Sequence, residues 1–332
     1  MPMNRMRLNG GSRGGVHDMV IRKLEQYGSD AYLEGKTTWV DGDGLHIHPE
    51  YLRAAIFELL EESGCHYLLY SPVVGAKTEN GVLKTALVQT KSGVAAFEAD
   101  VFVDCTGDGD LSFHASAQTE IGREGDGGLM PITLGFALAN VDTGRLFSFY
   151  NGPDCGPVMK RVLEEATAEG YSCAEWYSFD QTTIPGVASV NHGGLKDVGI
   201  LDATKAKDHT LAERTGIALA LDFVKIARTK GIPGLEQCHL VRVGANVGVR
   251  ETRRVIGEHV LTIEDAVSGS EFADVIARRY GAVDVAGLQE DKDYKQLMKS
   301  GYAYPYRGLL PVGVDRLLVA GRCGSYTHLD RK

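Results

Sequence analysis

"VFVDCTGDGDLSFHASA", residues 101–117, packs three carboxylates and two glycines into positions 104–110, directly behind the apolar run Val101-Phe102-Val103. Such a run reads as a fully buried strand, and "LSFHASA" reads as the start of a helix. In open α/β sheets, ligands bind at the carboxyl ends of strands. Three readings of the loop compete. A calcium loop would use the acids at 104, 108 and 110 around Gly109, but its twelfth position is Ala115 instead of a bidentate glutamate, and a strand stands where a helix should. A helix cap would use Asp108 or Asp110, with the glycines supplying positive φ. A nucleotide loop would use the glycines for close backbone approach, Thr106 as a hydroxyl, and a carboxylate for ribose-like hydroxyls. The residues alone rank the nucleotide loop only slightly above the cap.

Upstream, "VHDMVIRKLEQYG" (16–28) has Val16, Met19, Val20 and Leu24 at helical spacing. A second helix starts at Pro49, carries Leu52, Ile56, Leu59 and Leu60 on one face, and stops at Gly64. The period then changes. Segments 66–77, 81–90 and 94–104 are rich in β-branched and aromatic residues and are separated by "TENG" and "KSG", which predicts an antiparallel meander. Downstream, 131–141 is a strand candidate, and helices are expected at 156–169 and 208–230.

With 332 residues and 43% hydrophobic content the chain suits about two domains of ~150 residues. A net charge of −9 argues against nucleic acid or an anionic membrane surface as partner. No apolar stretch reaches the ~20 residues of a membrane span, and the N-terminal residues lack the apolar core of a secretory signal, so a cytoplasmic location is expected. Cysteines 65, 105, 155, 173, 238 and 323 are far apart without a Cys-x-x-Cys, which predicts reduced, buried thiols and no metal site. His46 and His48 alternate on one strand face as two metal ligands would, but without a third ligand they read as solvent-facing.

The stretch 99–142, with "DCTGDGD" and "GREGDGGLMPITLGFALANVD", resembles the signature of the FAD-dependent oxidoreductase family of the glutathione-reductase fold class. "GANVGVRETRRVIGEHVLTIEDAVSGSEFADVIARRYGAVDV" (244–285) and "YAYPYRGLLPVGVDRLLVAGRCGSYTH" (302–328) are similar to two further segments of that family, in the same order. The resemblance implies an α/β fold: a partial FAD-binding domain with an antiparallel β-meander over 1–118 and 305–332, and an inserted α+β substrate domain over 119–304. It also implies FAD as cofactor and a hydride moved between flavin and a small organic substrate. The family's initial strand, Gly-x-Gly-x-x-Gly turn and helix have no counterpart, since "LNGGSRGG" (8–15) has the wrong spacing, and the flavin-side helix after residue 328 is also missing. The expectation is therefore an internal fragment, and the alternative is a noncatalytic piece or one half of a split flavoprotein.

By resemblance, Thr106, Gly107, Asp108 and Gly109 line the cofactor, as do Ala320, Gly321 and Arg322. Arg250 and Arg254, four apart with Arg253 between and Glu251 and Glu258 as available partners, read either as a structural ion-pair network or as an electropositive wall beside the flavin that could hold a carboxylate substrate. His328 is a candidate acid or base, and His192, on a glycine-flanked loop of the middle region, a weaker candidate for touching substrate. A small molecule is the expected partner, and a homo-oligomeric state is left open.

Overall fold

The hydrophobic period switches after Gly64, and just beyond it the chain passes from one compact unit to another. In the computed structural model, which describes residues 5–7, 15–36, 43–195, 198–279 and 302–328, Met1–Tyr67 groups with Pro131–Val249, and Leu68–Met130 with Arg250–Lys332. The result is a mixed α/β protein.

The first unit begins with β1 (Arg5–Arg7), α1 (Val16–Tyr27), β2 (Tyr32–Lys36), β3 (Asp43–Ile47) and α2 (Pro49–Glu62), the strands forming an antiparallel sheet in the order β1-β3-β2. Val20, Ile21 and Leu24 of α1 and Ala55 of α2 close a small core with Ala31 and Ile47. Pro49 occupies the first turn of α2, where its missing N–H costs nothing, and His48 caps that helix by accepting from Glu50 N at 3.2 Å. His46 is buried, so neither histidine is the solvent-facing residue the sequence suggests.

The second unit opens with β4 (Val73–Glu79), β5 (Val82–Thr90) and β6 (Gly93–Glu98), an antiparallel meander joined at Asn80-Gly81 and around Gly93, all at positive φ. Segment 66–77 is extended in the sheet only from Val73 on; Leu68, Leu69 and Tyr70 stay exposed. Next come β7 (Phe102–Asp104), α3 (Asp110–His114) and β8 (Thr119–Ile121). β7 is not buried on both faces: Phe102 and Asp104 point inward, while Val101 and Val103 are 55% and 54% exposed.

Returning to the first unit, the chain forms β9 (Phe136–Ala139), α4 (Thr143–Tyr150), α5 (Cys155–Ala168), β10 (Tyr177–Gln181), β11 (Ala188–His192), α6 (Ala206–Thr229) and β12 (His239–Val243). The four strands make an antiparallel sheet, β10-β11-β9-β12. Phe223 of α6 lies at its centre, with ring centroids 4.3 Å from Tyr177 and 5.5 Å from Phe136. The helix comes close enough that a Cβ on Gly216 would stand 2.6 Å from that of Leu134.

The second unit finishes with β13 (Arg253–Val255), α7 (Ile263–Ser268), β14 (Val275–Arg279), β15 (Tyr302–Pro305) and β16 (Leu317–Val319). Thr262 and Asp265 form a reciprocal capping box on α7. β13 pairs with β8, β14 with β15, and β16 runs parallel to β7. Leu83, Phe102, Leu111, Val255, Leu317 and Val319 share one core, which fastens β13 and the β7–β16 pair to the meander.

Candidate active site

β7 and β16 pair in register, Phe102 with Leu317 and Asp104 with Val319, so the chain leaves both strands at one edge. Ala320 N donates to Asp104 O across that edge at 3.0 Å. The Asp104 carboxylate is 1% exposed and fully engaged. One oxygen accepts from Thr106 N at 3.0 Å and Thr106 Oγ1 at 2.7 Å; the other accepts from Ser112 N at 2.8 Å and Ser112 Oγ at 2.6 Å. Having given its proton to Asp104, the Thr106 hydroxyl accepts from Asp110 N at 2.8 Å. The start of α3 is therefore closed by a threonine, with Gly109 at φ +65° in the cap position, and neither Asp108 nor Asp110 caps it.

The other two acids of the loop are also paired. Asp108 Oδ1 accepts from Arg322 Nη1 at 2.6 Å and from the hydroxyl of the wholly buried Thr252 at 2.6 Å. Arg253 Nη1 donates to Asp110 Oδ1 at 2.9 Å and to Asp108 O at 3.1 Å, and its guanidinium lies 4.2 Å over the Phe113 ring. Gly107, at φ +81°, has Arg322 so close that a Cβ would meet Nη2 at 2.7 Å. Beneath the loop lies Cys323, whose thiol is pushed up to about 11, chiefly by burial and then by Asp104, with the Gly107 and Gly109 amides opposing.

A second cluster centres on Glu251. Its Oε1 accepts from Arg254 Nη1 and lies 2.6 Å from His328 Nδ1, and its Oε2 accepts from Met130 N at 3.1 Å. Arg254 is buried and spends Nη2 on Gly122 O at 2.9 Å. Tyr326 donates to Arg322 O, and its phenol is pushed up to about 12 by burial and the Glu251 charge, against the pull of Arg254. Arg250, by contrast, is exposed.

Two segments singled out in the sequence, 106–109 and 320–322, thus meet through Arg322 and Asp108, and His328 and Arg254 meet through a shared carboxylate. Thr252 and Ser112 are not among the residues the sequence singles out, and Glu251 is named there only as an ion-pair partner of the arginines. Only the Glu251–Arg254 spacing carries a local signal; the partners of Thr252 lie 144 and 70 positions away. His192 belongs to the first unit's core, where Nδ1 accepts from Gly194 N at 3.1 Å and Nε2 faces Leu134 O at 3.3 Å. Burial lowers its pKa to about 4, so the imidazole is a neutral packing element. The strand-end edge offers room of the kind a dinucleotide cofactor needs: at Gly321, φ +88°, no heavy atom of the described residues other than its two chain neighbours lies within 4 Å of where a Cβ would stand, and the neighbouring Arg322 guanidinium is partly exposed.

No curated protein matches the sequence. Among solved structures, the chain is similar to the OxyS anhydrotetracycline hydroxylase from Streptomyces rimosus at 13% identity and TM-score 0.42, over 92% of this chain and 46% of that one. It is also similar to the p-nitrophenol 4-monooxygenase PnpA from Pseudomonas putida DLL-E4 (12% identity, TM-score 0.37, 67% and 47% covered) and to an L-proline dehydrogenase from P. horikoshii (14%, 0.33, 86% and 52%). The chain spans about half the length of these proteins, and likeness at this level transfers no substrate. The family model described as FAD dependent oxidoreductase matches residues 3–330, and the chain belongs to that family.

Proposed function

We propose that the chain serves a flavoenzyme that moves a hydride between FAD and a small organic substrate bearing a carboxylate. FAD, the cofactor of the family, supplies two-electron redox chemistry when bound. The observation that carries the reading is the meeting of Thr106-Gly107-Asp108 with Ala320-Gly321-Arg322 at the ends of two parallel strands. In this reading Thr106, Gly107, Asp108 and Gly109 with Ala320, Gly321 and Arg322 line the cofactor, Arg322 facing it with a guanidinium already oriented by Asp108 and Thr252. His328 moves a proton at Nε2, Arg250 offers an exposed cation to the substrate carboxylate, and Arg254 holds the carboxylate on which His328 rests. The glutathione-reductase-type architecture, with 1–118 and 305–332 around the cofactor and 119–304 around the substrate, belongs to the same proposal. So does a cytoplasmic protein whose partner is a small molecule and not nucleic acid. Among the described residues no helix is long and apolar enough to cross a membrane.

A second reading is favoured by β7: a parallel pair with Val101 and Val103 exposed is an open sheet, and parallel sheets are ordinarily covered on both faces. A partner polypeptide supplying the nucleotide-binding strand and helix would cover it. Titrating the purified chain with FAD, followed by flavin fluorescence, separates the two. Saturable binding that weakens about tenfold, about 1.4 kcal/mol, in Arg322→Lys supports the flavoenzyme reading. Equal binding by that variant removes Arg322 from the site, and no binding by either chain leaves the split-protein reading.

A further inference from the structure

We infer that Glu251 is the positioning residue for His328, holding the proton on Nδ1 and leaving the Nε2 lone pair free to accept one; this rests on the proposed role of His328. The argument is one of donor and acceptor inventory. Arginine is never deprotonated in proteins, so the carboxylate in ion pair with buried Arg254 is acceptor-only. Its Oε1 lies 2.6 Å from His328 Nδ1, and two acceptors cannot share that contact, so Nδ1 carries the hydrogen. A neutral imidazole then has its acceptor at Nε2. The carboxylate cannot turn away, because Arg254 Nη1 and Met130 N hold its two oxygens, and Gly122 O anchors Arg254 from the other side at 2.9 Å. Both members of the ion pair are 3% exposed at their side chains, and the imidazole is 11% exposed. Water therefore competes poorly for either contact. Such carboxylate–imidazole pairs fix tautomer and ring orientation together.

Long-range nitrogen–proton NMR of the full chain reads the tautomer directly and needs neither flavin nor substrate. Neutral His328 is expected predominantly as the Nδ1–H form in the native protein. Glu251→Leu combined with Arg254→Met removes the two charges together, so that no unpaired ion is buried, and should shift His328 to predominantly Nε2–H. A native His328 already in the Nε2–H form overturns the inference, as does a double variant with the native tautomer. If the double variant does not fold, the native spectrum alone decides. A chain that fails to bind FAD refutes the flavoenzyme reading without altering this result, so the two fail separately.

Discussion

Replacing Asp104 tests the account of the loop most directly. Asp104→Ala removes the acceptor of four hydrogen bonds, two from Ser112 and two from Thr106. Ser112 is wholly buried, so its amide and hydroxyl would stay unpaired at ~1–3 kcal/mol each, whereas the half-exposed Thr106 regains water and loses ~1 kcal/mol. The sum is about 5 kcal/mol, a large part of the ~5–15 kcal/mol that ordinarily holds a domain together. Asp104→Asn isolates the chemistry from the volume: one oxygen survives, but an NH2 group faces two donors, so about 3 kcal/mol should still be lost. The assay is urea unfolding followed by far-UV circular dichroism, with the two units free to melt separately. A loss below ~1 kcal/mol in both variants, or an asparagine variant as stable as the native chain, would refute the reasoning.

Three further outcomes are expected. His192 is held neutral, so its contribution is whole above its unfolded value of 6.5 and drains away as pH falls towards about 4, a loss of about 3 kcal/mol that should vanish from the pH–stability curve of a His192→Gln variant. Gly216→Ala gains ~1 kcal/mol of helix propensity but drives a methyl to 2.6 Å from Leu134 Cβ, so thermal unfolding should show a net loss of ~1–2 kcal/mol, and an unchanged midpoint would mean that α6 moves aside freely. Thr252→Val takes away one hydroxyl from Asp108 and Arg322 inside a buried site, and should cost ~1–2 kcal/mol by chemical denaturation; stability equal to the native chain would show the contact to be idle.

The elements with strong periodicity were legible. α2 starts at Pro49 and ends beside Gly64, α6 covers the long stripe that includes Leu219, Phe223 and Ile226, and the meander turns where Asn80-Gly81 and Gly93 stand. Local pattern could also mark the loop as special, but not divide its labour. Three acids looked equivalent, yet Asp104 organises the backbone while Asp108 and Asp110 pair with arginines more than 140 positions away. The side chain that closes α3 is Thr106, whose hydroxyl donates to Asp104 and accepts from Asp110 N, while Asp108 and Asp110 are engaged by Arg322 and Arg253. His328 and Glu251 are 77 positions apart, so no spacing rule joins them. The apolar run 101–103 misled in the other direction: three hydrophobic residues in a row imply burial of both faces only when packed layers cover both faces of the sheet, and Val101 and Val103 lie on an exposed one.

The close approach of Gly107 to Arg322 also limits how the sequence can drift. A side chain at 107 meets two separate obstacles, a left-handed backbone and a guanidinium 2.7 Å away, and a smaller residue at 322 would lift only the second. The order of substitution therefore matters: position 322 can shrink first and leave 107 crowded by nothing but its own torsion, whereas 107 cannot grow first without dislodging the arginine from Asp108. Effects at the two positions should be non-additive, and an engineer reshaping this loop has one passable route where the sequence alone offers two.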